Sequence, residues 1–100
     1  MLQAQIILDK DEMDENGQPL YLTILQWMVQ HNLVTATVFE GISGISASHR
    51  ITRPGALFSF DEPPVLILFE DEDEKVRAAL REIRTFSPTA FIIAYEVETF

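Results

Sequence analysis

The residues of this chain best equipped for chemistry lie between Gly41 and Arg53. Gly41-Ile42-Ser43-Gly44 runs into Ile45-Ser46-Ala47-Ser48-His49-Arg50-Ile51-Thr52-Arg53, placing two glycines, small hydroxyls, an imidazole and two guanidiniums in one short stretch. No Asp or Glu occurs from Gly41 to Phe60, although the chain carries 16 acids against 7 bases and a formal charge of −9. Arg50 and Arg53 therefore set up a local positive field on an acidic protein. Such a stretch suits an anion, because guanidinium forks and backbone N–H groups near glycines both donate to phosphate or carboxylate oxygens. The candidate ligand-binding residues are Gly41, Gly44, His49, Arg50 and Arg53. Catalysis fits the same residues poorly. Ser48 and His49 are sequence neighbours, which an extended backbone turns to opposite sides, so they do not make a nucleophile and base. The expectation is a binding protein and not an enzyme. Gly41-x-x-Gly44 also matches the loop that clamps nucleotide backbones in KH domains. It follows a strand here instead of joining two helices, and reads as a turn.

The elements around this loop are legible from changes of apolar period. Leu2 to Leu8 alternates as a strand and stops at charge. Asp9 to Asn16 is an acidic turn. Aspartates at 9 and 11 hint at a calcium loop, but Met13, Asp14 and Leu20 stand where a ligand, the glycine and the closing Glu should be. Pro19 suits the first turn of a helix running to His31 or Asn32. Its apolar stripe is Leu20, Tyr21, Ile24, Leu25, Trp27 and Met28, and it bears no charge up to His31, which suggests that its outer side meets another subunit or a loop. His31 fits the negative end of the helix dipole better than a ligand role. Leu33 to Glu40 is rich in β-branched residues and predicts a strand feeding the glycine loop.

Asp61-Glu62-Pro63-Pro64 halts regular structure, and Val65 to Phe69 is a continuous apolar run, the mark of a strand covered on both faces. Glu70 to Glu74 is a run of acids that suits a helix N-terminus, with Asp71 and Glu74 spaced for a capping box and Asp73 one turn before Arg77. Val76, Ala79, Leu80 and Ile83 make that helix's buried stripe, and Pro88 ends it. Thr89 to Val97 is the last strand. The order strand, helix, strand, strand, helix, strand predicts an α+β fold, a ferredoxin-like βαββαβ sandwich. Its four-stranded antiparallel sheet carries two helices on one face. The chain is expected to be a single domain, 1–100, with a flexible loop at about 41–60. Helices cover only one face, so a dry second face calls for another copy of the chain.

Composition narrows the classes. A chain of 100 residues, 47% apolar, buries about 60–65% of its unfolded surface and needs no staple. It has no cysteine, which removes disulfides, thiolate metal sites and cysteine nucleophiles. The apolar run at Met1 to Lys10 is too short for a membrane span and has no basic lead, so a cytoplasmic, not membrane-embedded protein is expected. The acidic balance repels phosphate backbones, and the strands expected at the sheet centre, Leu2 to Leu8 and Val65 to Phe69, are flanked by acids where an RNA-binding sheet needs aromatics in basic surroundings. No nucleic-acid partner is expected.

Gly17-Gln18-Pro19-Leu20-Tyr21, Ala36-Thr37-Val38-Phe39-Glu40-Gly41-Ile42-Ser43-Gly44, His49-Arg50-Ile51 and Pro63-Pro64-Val65-Leu66-Ile67 occur in this order. Together they resemble the PII-like family catalogued as domain of unknown function 190, over nearly the whole chain. The resemblance implies a homotrimer related to PII signal-transduction proteins. Such trimers bind small effectors, commonly adenine nucleotides such as ATP, ADP or AMP, between subunits. It further implies that the region Gly41 to Leu57 touches a target protein, a transporter or an enzyme. The chain departs from the family pattern at Ser46-Ala47, where relatives have a further glycine, and at Thr89-Ala90-Phe91, where a glycine is common. It also has acids, not a glycine- and lysine-containing phosphate cradle, before its second helix. An alternative is a structural or protein-interaction subunit without a small-molecule ligand; an amino-acid-binding regulatory domain of the same topology is another.

Overall fold

A computed structural model of the chain describes residues 1–33, 35–42, 44–45, 51–52 and 63–100, with 44–45 and 51–52 described by backbone alone. In chain order the elements are β1 (Leu2–Asp9), α1 (Leu20–Gln30), β2 (Thr35–Glu40), β3 (Gly44–Ile45), β4 (Ile51–Thr52), β5 (Pro64–Asp71), α2 (Asp73–Phe86) and β6 (Phe91–Glu96). The main sheet has the order β2-β5-β1-β6 and is antiparallel throughout. This is the ferredoxin-like α+β arrangement that the periodicity predicts.

Alternation fixes which side of each strand is covered. Leu2, Ala4, Ile6 and Leu8 of β1 and Val65, Ile67 and Phe69 of β5 are buried, and they join Leu20, Ile24 and Met28 of α1 and Val76, Ala79 and Ile83 of α2 in one core. Both helices therefore lie on the same face of the sheet. Burying side chains of this size supplies about 1.5–3 kcal/mol each, which makes this cluster the main source of stability.

Several expectations change in detail. The strand predicted at Val65–Phe69 extends to Asp71, because Glu70 and Asp71 pair with Gln3 and Leu2 in the ladder. The capping box expected of Asp71 and Glu74 is absent: Glu72 is the N-cap of α2 and makes no side-chain cap bond. Asp71 instead accepts from the Glu72 N–H at 2.8 Å and pairs with Lys75 at 3.2 Å. Pro19 is the N-cap of α1, one position before the first turn. Leu33 lies outside β2, because it closes α1: the Leu33 N–H donates to Met28 O and the Asn32 N–H to Val29 O. Asn32 takes the left-handed conformation, φ 57°, that this helix-ending pair of bonds requires. Within the segment expected as loop, β3 and β4 form a short antiparallel ladder with Gly44 opposite Thr52 and Ile45 opposite Ile51.

Candidate functional site

The candidate loop leaves the sheet beside β5. Glu40 pairs with Val65 at the end of the ladder, and the Gly41 N–H then donates to Pro64 O at 2.7 Å. A Cβ on residue 41 would stand 2.8 Å from Pro64 Cγ and 3.2 Å from Pro64 O, so only glycine fits this approach without displacing its neighbour. Next to it Lys10 Nζ meets Glu40 Oε1 at 3.2 Å, and the Lys10 N–H donates to Pro63 O. The loop base is thus fixed by backbone bonds from β1 and β2 to the Pro63-Pro64 step. Of the candidate ligand residues, Gly41 lies at this base and Gly44 in the β3–β4 ladder. His49, Arg50 and Arg53 lie outside the described residues.

The helix-free face of the sheet is the largest feature that the sequence motifs do not name. Strand pairing arranges it in rows: Phe39, Leu66, Ile7 and Phe91; then Thr37, Leu68, Gln5 and Ile93; then Thr35, Glu70, Gln3 and Tyr95. Phe39 and Phe91 are 50% and 61% exposed, and Ile93 and Tyr95 38% and 39%, so large apolar groups stand uncovered on the isolated chain. Leu66 and Leu68, expected to be covered on both sides of β5, are half-buried. The row furthest from Gly41 is polar and bonded to itself. Gln3 Nε2 donates to Glu70 Oε2 at 2.6 Å, the Tyr95 hydroxyl donates to Gln3 Oε1, and Gln5 Nε2 donates to Tyr95 Oη at 3.0 Å. Sequence reasoning missed this chain of bonds, although polar Gln3 and Gln5 alternating with Leu2 and Ala4 were its signal.

On the opposite layer, the outer side of α1 carries a shallow groove of about 310 Å³ lined by Leu22, Leu25, Gln26, Val29 and Gln30. His31 at its C-terminus stacks on Trp27, ring centroids 3.9 Å apart, with its Nδ1 2.8 Å from Trp27 O. That geometry suits a helix-end role.

The acidic turn is a structural knot. Asp14 Oδ1 accepts from the N–H groups of Asn16 and Gln18, and Oδ2 accepts from the Thr23 hydroxyl at 2.6 Å, tying the turn to the first turn of α1. Those bonds, the Thr23 hydroxyl foremost, hold the Asp14 carboxyl below its ordinary value. Gly17, φ 80°, allows the reversal. Asp73 and Arg77 make the predicted one-turn ion pair at 2.7 Å, which lowers the Asp73 pKa and raises that of Arg77.

The chain is thus a ferredoxin-like βαββαβ sandwich whose second sheet face carries exposed apolar side chains. The family model described as Uncharacterized ACR, COG1993 (DUF190) matches residues 1–99, and the chain belongs to that family. A curated relative, a UPF0166 protein of Aquifex aeolicus, is 31% identical over 80 residues, covering 80% of this chain and 75% of the relative. Among solved structures, CPII of Thiomonas intermedia K12, a nitrogen regulatory PII-like protein bound to ADP, AMP and bicarbonate, superposes with a TM-score of 0.70. The identity is 13%, over 96% of this chain and 84% of CPII. The divalent ion tolerance protein CutA1 of Ehrlichia chaffeensis gives a TM-score of 0.64 at 13% identity, over 99% of this chain and 83% of CutA1. Among the described residues no helix is long and apolar enough to cross a membrane.

Proposed function

We propose that this chain is a cytoplasmic PII-like regulatory protein that works as a homotrimer. Copies associate through the helix-free sheet face, a small anion binds in the clefts between them, and the 41–57 loop carries the response to a target protein. The observation that carries this reading is the uncovered face itself. An apolar surface spanning all the strands of the main sheet stays dry only against another molecule. An adenine nucleotide, ATP, ADP or AMP, is the ligand class of choice. CPII, of the same fold, binds ADP and AMP, and Gly41, Gly44, His49, Arg50 and Arg53 offer N–H groups and positive charge for phosphates. The role is regulatory and not catalytic, since the loop's one imidazole has no paired nucleophile.

Thermal shift tests the ligand. ATP, ADP or AMP should raise the melting temperature of the wild type, because a ligand that binds only the folded state stabilises it. Arg50→Ala with Arg53→Ala should remove the rise while leaving the unliganded melting temperature in place. A rise that survives the double substitution would move the site elsewhere. A second reading, an interaction subunit without a small ligand, is favoured by the groove on the charge-free α1. It predicts no response to any nucleotide.

A further inference from the structure

Helix α1 carries two apolar stripes. Leu20, Ile24 and Met28 point into the core, whereas Leu22, Leu25 and Val29 line the groove on its outer side, with Leu22 37% and Val29 76% exposed. Steps of three and then four residues along this second stripe are the spacing that seats one helix against another. No charged residue occurs from Leu20 to Gln30. We propose that this groove docks an amphipathic helix of a partner protein, lying antiparallel to α1 with lysine or arginine in its last turn. Such docking is independent of any nucleotide and of the way copies associate.

An extended segment suits the groove poorly. The N–H and C=O groups of α1 are bonded within the helix, so a strand laid there leaves its own backbone unpaired against leucine and valine, while a helix arrives with its backbone already satisfied. A second copy suits it poorly too. Three apolar side chains on an 11-residue helix offer far less than the roughly 800 Å² per partner that a stable pairing of folded chains buries. Charge sets the partner's direction. Gln26 at the groove rim accepts from Gln18 Nε2 at 3.1 Å, and the Gln18 N–H donates to Asp14 Oδ1 at 2.9 Å, which ties the N-terminal end of the groove to the acidic turn. Within that turn Asp14 is taken up by its own bonds and Glu12 accepts from the Thr89 hydroxyl, but Asp11 and Glu15 are exposed. Just past the other end of α1, Lys75 Nζ donates to Asn32 O at 2.6 Å. A groove acidic at its start and basic beyond its end matches a helix running the opposite way, whose last-turn cations also favour the negative end of its own dipole.

Fluorescence anisotropy of a labelled synthetic peptide tests the site. The probe has about 18 residues of Leu, Ala and Gln, long enough to be helical in water, with Leu at the heptad a and d positions and lysines only in the last turn. The wild type should bind it more tightly than the same peptide with its lysines moved to the first turn or replaced by Glu. Val29→Glu should weaken binding by more than about tenfold, although it makes the protein more acidic, because the new carboxylate is buried against the leucines of the peptide. Asp11→Asn with Glu15→Gln should erase the preference for last-turn lysines while binding persists. All three side chains are exposed, so the fold tolerates these changes. Equal binding of the two lysine peptides overturns the antiparallel seating. Binding that Val29→Glu leaves unchanged or strengthens is attraction between opposite charges alone and overturns the site, as does the failure of every peptide to bind. An assembly of the chain that Val29→Glu dissociates gives the groove to a second copy instead.

Discussion

At the scale of single residues, two positions tie local geometry to measurable stability. Gly41 is tight because the backbone of β2 passes within hydrogen-bond distance of Pro64, and both the ring and the carbonyl of Pro64 stand where a Cβ would go. Gly41→Ala should lower stability to urea by about 1–3 kcal/mol, the usual cost of forcing atoms into a packed site. A loss well below this range would mean that Pro64 swings aside freely. Ser87 presents the opposite case. It is fully buried where α2 ends, and its hydroxyl has no partner among the described residues. An unpaired buried hydroxyl costs about 1–3 kcal/mol, so Ser87→Ala should leave stability unchanged or raise it by up to roughly 1 kcal/mol. A clear loss in urea unfolding would reveal a partner for that oxygen.

At the scale of elements, helix α1 starts without a side-chain cap, and Asp14, several residues upstream, ties its first turn to the preceding turn through the Thr23 hydroxyl. The sign of its acid dependence follows from the lowered carboxyl. Its folded value lies below the ordinary 3.8, so the bonds to Thr23 and Gln18 stabilise the fold at pH values above 3.8 and are lost as pH falls through the folded value. Asp73, lowered by Arg77, acts with the same sign. The urea midpoint should therefore fall on acidification from about pH 5 to about pH 3. Asp14→Asn keeps an acceptor for the turn N–H groups and cannot titrate, so its midpoint should fall less; an identical fall would place the acid sensitivity elsewhere.

The elements were legible in sequence where period and burial agree. Leu2 to Leu8 alternates because one face is core, and the α2 stripe of Val76, Ala79 and Ile83 is buried as its spacing implies. Glu70 and Asp71 misled because their acidity suits a helix start, whereas pairing with Gln3 and Leu2, far off in sequence, holds them in a strand. Gly41 was legible as a glycine in a loop, but the reason for it is Pro64, brought close only by the ladder. The Gln3–Glu70–Tyr95 bonds join three strands and have no signature along any one of them.

At the scale of the whole molecule, two surfaces compete as the place where a partner copy sits: the helix-free sheet face and the outer groove of α1. Extent favours the sheet, since the α1 groove spans only one side of an 11-residue helix, whereas the sheet face draws on four strands. Charge separates them experimentally. Phe91→Glu puts a carboxylate into the apolar row beside Ile7, where a facing copy would bury it unpaired. An uncompensated buried charge costs about 3–5 kcal/mol, enough to shift an assembly to monomers at micromolar concentration. Val29→Glu adds the same charge on α1, where Val29 is 76% exposed, and should leave the mass unchanged. Light scattering across a dilution series reads both, with far-UV circular dichroism confirming that each variant keeps its helices. If Val29→Glu dissociates the assembly and Phe91→Glu does not, the copies meet through α1, and the sheet face must then be covered by something other than this chain.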